Sequence, residues 1–291
     1  MMLIGENLNV MNKKLSAAMK ERRKEPIQQL VVLSQQAGVD YLDLNIGPAR
    51  KDGPKLMEWL ITTVREVSSL PLSLDTTNTE ALRTGLEMEG SRALINSIQA
   101  TAERVEQLFP LVQKYRCRFI ALLLGKEGMP RDANERGALA AEMAAWVDQA
   151  GLPHEYVYFD PIVLPVAFQQ DQVVAVMEFM RMLKEILPDF KSTCGLSNVS
   201  NGVPDSLRPL VNQTYLAMLM DCGLDSAIVD ALDSELVALA RGQRPEVNRT
   251  IKESLTGQLD AATLTEEKRR FTKTAEVLSG RSIYSHSWLK V

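Results

Sequence analysis

The chain has 291 residues, 45% of them hydrophobic and 24% charged, with 33 Lys and Arg against 37 Asp and Glu for a net charge of −4. Its only histidines are His154 and His286 and its only cysteines Cys117, Cys194 and Cys222, all far apart. That scarcity excludes a structural zinc, c-type haem or iron–sulfur site, so no protein-bound metal is expected. Neither histidine stands in a nucleophile motif.

The longest apolar run, Phe119 to Leu124, is far short of the ~18 residues that would cross a bilayer. The first residues lack the basic and apolar regions of a signal peptide. An odd number of widely spaced cysteines reads as reduced thiols, so the expectation is a cytoplasmic protein. A mildly acidic chain of mixed charge is a poor partner for nucleic acid or anionic membrane.

In chain order, short β-type runs alternate with helical patterns. The runs are Leu3–Glu6, Tyr41–Asn45, Leu72–Asp75, Ala93–Ser97, Phe119–Leu124, Val157–Asp160, Thr193–Ser197 and Ala227–Asp230. They are short and apolar, as strands buried on both faces of a parallel sheet should be. Between them, helical spacing predicts helices over about 26–37, 54–68, 78–88, 135–150 and 208–221. Val105, Leu108, Phe109 and Val112 mark another, and Val173, Val176, Met177, Met180 and Leu183 one more. Gly38, Gly90, Gly151 and Gly223 close several of them, as helix ends favour. Eight such units in roughly 240 residues are the arithmetic of a (β/α)8 TIM barrel. No G-x-G-x-x-G follows the first run, so a dinucleotide fold has no support. The expected division is a barrel over 1–240 and a C-terminal helical extension over 241–291. There Arg241–Pro245 reads as a turn, and Thr263-x-x-Glu266 as a capping box opening a charged helix to about Leu278. The extension, with Tyr284 and Trp288, is expected to pack on the barrel or on a second subunit.

The chemistry lies where the runs stop being apolar. They end in Glu6, Asp43 and Asn45, Asp75, Asn96, Asp160, Ser197-Asn198 and Asp230. In a (β/α)8 barrel those ends open on one face, which carries the active site. A single Asp or Asn after a strand is ordinarily a cap for the next helix, and Asp230, beside Asp233 and Ser234, is open to that reading. Near Asp75, Thr76, Thr77 and Asn78 can cap the next helix and leave the carboxylate free. Seven polar strand ends together point to a shared pocket. Carboxylates accept pairs of N–H donors and amides both donate and accept, which suits a flat heterocycle with an amino-pyrimidinone edge, a pterin or a guanine. Arg208 can meet a carboxylate or ring carbonyl, and Gly195 leaves the backbone open to a ligand. His154, at the opposite strand end, and His286, in the tail, read as surface residues; the cysteines, Met177 and Met180 read as core.

Six segments in order carry a resemblance: Met2-Leu3-Ile4-Gly5-Glu6-Asn7-Leu8-Asn9, Tyr41-Leu42-Asp43-Leu44-Asn45-Ile46-Gly47-Pro48, Ser73-Leu74-Asp75-Thr76-Thr77-Asn78, Ile95-Asn96-Ser97, Phe159-Asp160-Pro161 and Gly195-Leu196-Ser197-Asn198-Val199-Ser200. Together they resemble the methyltetrahydrofolate:corrinoid protein methyltransferases. That group includes the acetogen enzyme acting on a corrinoid iron–sulfur protein and the folate domain of cobalamin-dependent methionine synthase. The resemblance spans about residues 2–240 and resumes near Thr274–Lys290. It implies a pterin-binding barrel, usually a homodimer. It implies that Asp75, Asn96 and Asp160 hold the pterin, that Asn198 is catalytic near N5, and that Glu6, Gly195, Ser197 and Arg208 line the pocket. The implied reaction moves a methyl group, in either direction, between N5 of methyltetrahydrofolate and the Co(I) corrinoid (cobalamin) of a partner protein.

Two departures bear on that partner. Asn201–Leu207 is longer than in the acetogen enzyme, and about 241–272 reads as an insertion. The partner is therefore either an iron–sulfur corrinoid protein or the small corrinoid protein of a demethylase system. Two other readings stand beside this one. A dihydropteroate synthase-like enzyme would need a cationic phosphate-binding set near the pterin. A non-catalytic pterin- or corrinoid-binding module would bind without turnover.

Overall fold

Eight runs with outward apolar and inward alternating side chains close on themselves in the computed structural model, which describes residues 1–259 and 264–290. The strands are β1 (Met2–Asn9), β2 (Tyr41–Asn45), β3 (Leu72–Asp75), β4 (Leu94–Gln99), β5 (Arg118–Leu122), β6 (Val157–Asp160), β7 (Lys191–Ser192) and β8 (Ser226–Val229). They hydrogen-bond in the order β7-β6-β5-β4-β3-β2-β1-β8, parallel at every junction. The ring is completed by a parallel bridge between Gly195 and Ile228, where the Ile228 N–H donates to the Cys194 carbonyl at 2.8 Å. This is a (β/α)8 TIM barrel.

Its helices are α1 (Lys13–Lys20), α2 (Lys24–Gln36), α3 (Gly53–Arg65), α4 (Thr79–Glu89), α5 (Ala102–Tyr115), α6 (Ala133–Gln149), α7 (Gln170–Ile186), α8 (Arg208–Asp221), α9 (Ser234–Ala240), α10 (Pro245–Thr256) and α11 (Glu266–Leu278). Strand alternation sorts the residues. Leu42, Leu44, Leu72, Leu74, Ile95 and Phe119 face the helices and join the main core. The intervening residues face the barrel axis. There Ile4, Tyr41, Leu94, Ile120 and Tyr158 form a separate apolar plug. Higher up the same strands, the inward positions turn polar. The plug seals the lower barrel, each such side chain stabilising by about 1.5–3 kcal/mol on burial, and leaves the C-terminal ends as the open face.

The structure corrects several expectations. The seventh strand is only Lys191–Ser192, and Leu196–Ser200 coils into a 3-10 turn instead of continuing as strand. Helices α1, α9 and α10 have no counterpart among the expected ones. The last helix does run to Leu278, but Thr265 is its N-cap, accepting from the Lys268 N–H at 3.3 Å; Thr263 lies outside the described residues. Helices α10 and α11 pack against each other and against α8, and α11 also meets α7. Trp288 is buried, its indole N–H donating to Thr274 Oγ1 at 3.0 Å. Among the described residues no helix is long and apolar enough to cross a membrane.

Candidate active site

The register lines up the inward polar residues in tiers: Asp43 beside Ser73, and Asn45 beside Asp75 beside Asn96. Where a helix after these strands has a side-chain cap, another residue supplies it. Asn78 caps α4, accepting from the Glu80 and Ala81 N–H groups, and Asp233 caps α9. Asp75 and Glu6 are therefore not capping groups.

Two linked pairs follow. Asp43, almost fully buried, accepts from Ser73 Oγ at 2.6 Å and from Asn96 Nδ2 at 3.1 Å. That bond holds the Asn96 side chain by its amide nitrogen. Asn45 donates through Nδ2 to Asp75 Oδ2 and accepts the Gly47 N–H at 3.0 Å, which leaves Asp75 Oδ1 open. Burial raises the pKa of both Asp43 and Asp75, and the neighbouring Asp43 charge raises Asp75 further. The Asn96–Ser97 peptide bond is cis.

Across the mouth, Ser197 Oγ donates to Glu6 Oε1 at 2.6 Å, joining residues 191 apart in sequence. Burial pushes Glu6 up to about 7; the Ser197 hydrogen bond opposes this, Asp230 and Asp43 add to it, and Arg208 opposes it. Asp160 is buried and accepts the Ile162 N–H at 2.8 Å. Its pKa is raised to about 6 by burial, against the opposing pull of the Ile162 and Gly195 N–H groups and of Arg136. Asn198 is exposed, on the Leu196–Ser200 turn. A methyl group at Gly195 would stand 3.2 Å from Asn198 Nδ2, so glycine there keeps that amide uncrowded. Arg208, at the start of α8, donates to Ser200 Oγ at 3.1 Å and to Asn201 Oδ1 at 3.2 Å. It bonds none of the acids directly and reaches Glu6 through its charge.

The expected site residues thus fall on one face, and the sequence reading omitted some of their supports. Asp43, Asn45 and Asp230 were visible as polar strand ends but not as partners. Asn7 donates to Asp230 at 2.6 Å and accepts the Ala231 N–H at 2.9 Å, tying β1 to the loop after β8. Arg136, fully buried on α6, donates to the Pro161 carbonyl at 2.8 Å and to Gln172 Oε1 at 2.8 Å. Nothing in the sequence distinguishes it from a surface helix arginine. His154 is half-buried, at the far strand end, paired with Asp148 at 2.7 Å and stacked on Phe190, and all three cysteines are buried thiols.

The class of protein this defines is a parallel (β/α)8 barrel with paired carboxylates and amides at the C-terminal ends of its strands. The sequence profile of the pterin binding enzymes matches residues 5–230, and the chain belongs to that family. It is 25% identical over 239 residues to the methylcorrinoid:tetrahydrofolate methyltransferase of Eubacterium limosum, an alignment covering 81% of this chain and 88% of that one. It is 30% identical over 224 residues to the methionine synthase of Mycobacterium tuberculosis, covering 74% of this chain and 18% of the relative. The chain therefore spans about a fifth of the length of the methionine synthases it matches. Among solved structures, the dihydropteroate synthase of Xanthomonas albilineans with 7,8-dihydropteroate superposes with a TM-score of 0.63 at 18% identity, covering 84% of this chain and 93% of that chain. The dihydropteroate synthase of Thermus thermophilus superposes with a TM-score of 0.60 at 19% identity, over 83% and 93%. At that identity the likeness is one of fold.

Proposed function

We propose that the protein is a methyltransferase that moves a methyl group between N5 of methyltetrahydrofolate and the Co(I) corrinoid of a partner protein. The observation that carries this reading is the exposed, uncrowded amide of Asn198 on the same face as the buried and half-buried strand-end acids and amides. The name of one sequence relative, the methylcorrinoid:tetrahydrofolate methyltransferase of Eubacterium limosum, points the same way.

In this reading Asp75 and Asp160 accept the ring N–H and amino donors of the pterin, and the oxygen of Asn96, whose amide nitrogen Asp43 holds, takes a third. Gly195, Ser197 and Arg208 line the remaining wall. The methyl carbon leaves N5 as its bond to cobalt forms; the C–N electron pair returns to N5, which takes up one proton. A neutral tertiary amine is a poor leaving group, so a donor that strengthens as N5 gains positive character lowers the barrier. Asn198 supplies that hydrogen bond but no net proton. Glu6, its pKa pushed up to about 7 by burial, is bonded to Ser197, next to Asn198 in the chain, and is the group to which we assign that proton. Holding the methyl group in line with the cobalt supplies further rate. The corrinoid arrives as a substrate on its own protein.

A dihydropteroate synthase activity has less support, because residues 196–207 contain no Lys or Arg and Arg208 is tied to Ser200 and Asn201. The test is direct. The protein mixed with methyltetrahydrofolate and free Co(I) cobalamin should discharge the Co(I) absorbance. No discharge with free cobalamin or with any corrinoid protein removes the methyltransferase reading.

A further inference from the structure

Arg136 is among the largest side chains that the fold buries completely. Arginine is seldom buried without a carboxylate partner, yet this one bonds only neutral oxygens. Its Nε donates to the Pro161 carbonyl at 2.8 Å, Nη1 to the Asp132 carbonyl at 3.1 Å and Nη2 to Gln172 Oε1 at 2.8 Å. The acids near it on α6 are engaged elsewhere: the Asp132 side chain caps the helix, and Glu135 pairs with Arg131. Tyr215, on α8, donates its hydroxyl proton to the Val173 carbonyl, and burial keeps it neutral. Among the described residues, the buried acid left to face this charge is Asp160.

The contact falls on a strained turn. Where the chain leaves β6, Ile162 has φ +62°, in the left-handed region that a β-branched residue rarely adopts. Two bonds hold the turn. The Ile162 N–H donates back to Asp160 Oδ1 at 2.8 Å, and Arg136 holds the carbonyl of the peptide unit between Pro161 and Ile162. Gln172 is itself tied to the Arg131 carbonyl through Nε2 at 2.6 Å, so the guanidinium is fixed from both α6 and α7. Burial raises the Asp160 pKa, and two N–H groups and this one cation oppose it. The Cys194 thiol, which also feels Asp160, is pushed well above its ordinary value by burial and stays neutral. Glu6, Asp43 and Asp75 bring only further acids to the mouth, from β1, β2 and β3.

We propose that Arg136 is a positioning residue for the site: held against the Pro161 turn, it supplies the buried counter-charge that keeps the Asp160 carboxylate ionised and fixed for a ring N–H donor. This rests on the folate reading of the mouth and adds the residue that sets the pH range over which the mouth accepts its substrate.

Carboxyl-carbon NMR of the free protein follows the Asp160 titration midpoint, and methyltetrahydrofolate affinity is measured near pH 6 and near pH 8. Arg136→Gln should raise the midpoint from about 6 by about one pH unit. Its affinity should then fall about fivefold relative to wild type near pH 6 and by less than about twofold near pH 8, since only the ionised fraction binds. Taking the ratio to wild type at each pH cancels what Glu6, Asp43 and Asp75 contribute to both proteins. Arg136→Lys, which keeps the charge, should bring both readouts back to within about twofold of wild type. Gln172→Glu leaves the arginine in place and sets an anion against it. It should raise the midpoint by about half a pH unit, and it decides the matter where Arg136→Gln does not fold. An Asp160 midpoint that stays at its wild-type value in these variants overturns the proposal. So does an affinity loss of equal size at both pH values, or one that lysine does not restore, which would make Arg136 a packing element between α6 and α7. Failure of the wild type to bind methyltetrahydrofolate at either pH, with the midpoint still following Arg136, would instead strike the folate reading beneath it.

Discussion

Asn198 is the side chain on which rate should depend most steeply. Its amide is exposed, on a turn beside the buried acids, and kept clear by Gly195. Asn198→Ala should lower methyl transfer about 10²–10³-fold, the usual loss for one preorganised donor, while changing folate affinity less than about threefold; stopped-flow transfer and equilibrium binding separate the two. The acids should behave in the opposite sense. Ring donors need ionised acceptors, and Asp160 titrates at about 6. Folate affinity should therefore fall as pH drops from about 7.5 to about 5.5, with protons released on binding. Asp160→Asn should weaken binding about 10–100-fold, the worth of a charge-assisted hydrogen bond, and remove the part of that pH dependence centred near 6, leaving the part set by Asp75, which burial and Asp43 raise further. Calorimetry in buffers of different ionisation enthalpy measures both. At this scale the residue types were legible in the sequence and their states were not. Asp43 and Asp75 read as acids, but that they crowd each other depends on β2 lying beside β3.

Elements were legible in proportion to their apolar periodicity. Strands β2, β3 and β6 have the limits that their runs announce. The seventh fails because the ladder pairs only Lys191 and Ser192, and Leu196–Ser200 coils into a 3-10 turn. Helix α1 gives little signal, since its buried face is only Leu15, Ala18 and Met19 among lysines. Helix α9 has only seven residues, and α10 buries Thr250 and Ser254 with Val247 and Ile251, which blurs its pattern. Close packing also leaves marks. Helix α4 lies so near β3 that a methyl group on Gly85 would come within 2.7 Å of Leu74 Cδ1. Gly85→Ala should therefore destabilise by about 1–3 kcal/mol through overpacking, in spite of the better helix propensity of alanine. Chemical denaturation checks the sign: stabilisation would show that β3 can yield there.

The whole molecule carries its unfavourable electrostatics at the mouth. Glu6 and Asp160 have folded pKa values of about 7 and about 6, raised from 4.5 and 3.8. A raised carboxyl contributes fully below its unfolded pKa, and that contribution is lost as pH climbs through the folded value. The free protein should thus lose stability between about pH 4.5 and about pH 7.5, and Glu6→Gln/Asp160→Asn should reduce that slope in denaturation measured across the range. A steeper slope in the double variant would contradict the assignment. A site that holds carboxyls out of water for a ligand gives up stability until the ligand arrives.

By itself the sequence determined the alternation of strand and helix, and with it the barrel. It determined too that seven polar strand ends share one face, because successive parallel strands joined by helices must all point the same way. Only the tertiary structure decided which acid meets which amide, that Ser197 bonds Glu6, and that Arg136 is buried and bonded to the Pro161 carbonyl. The reason is physical. Periodicity and capping act over a few residues, whereas desolvation and cross-barrel hydrogen bonds depend on neighbours that the chain brings together only when the ring closes.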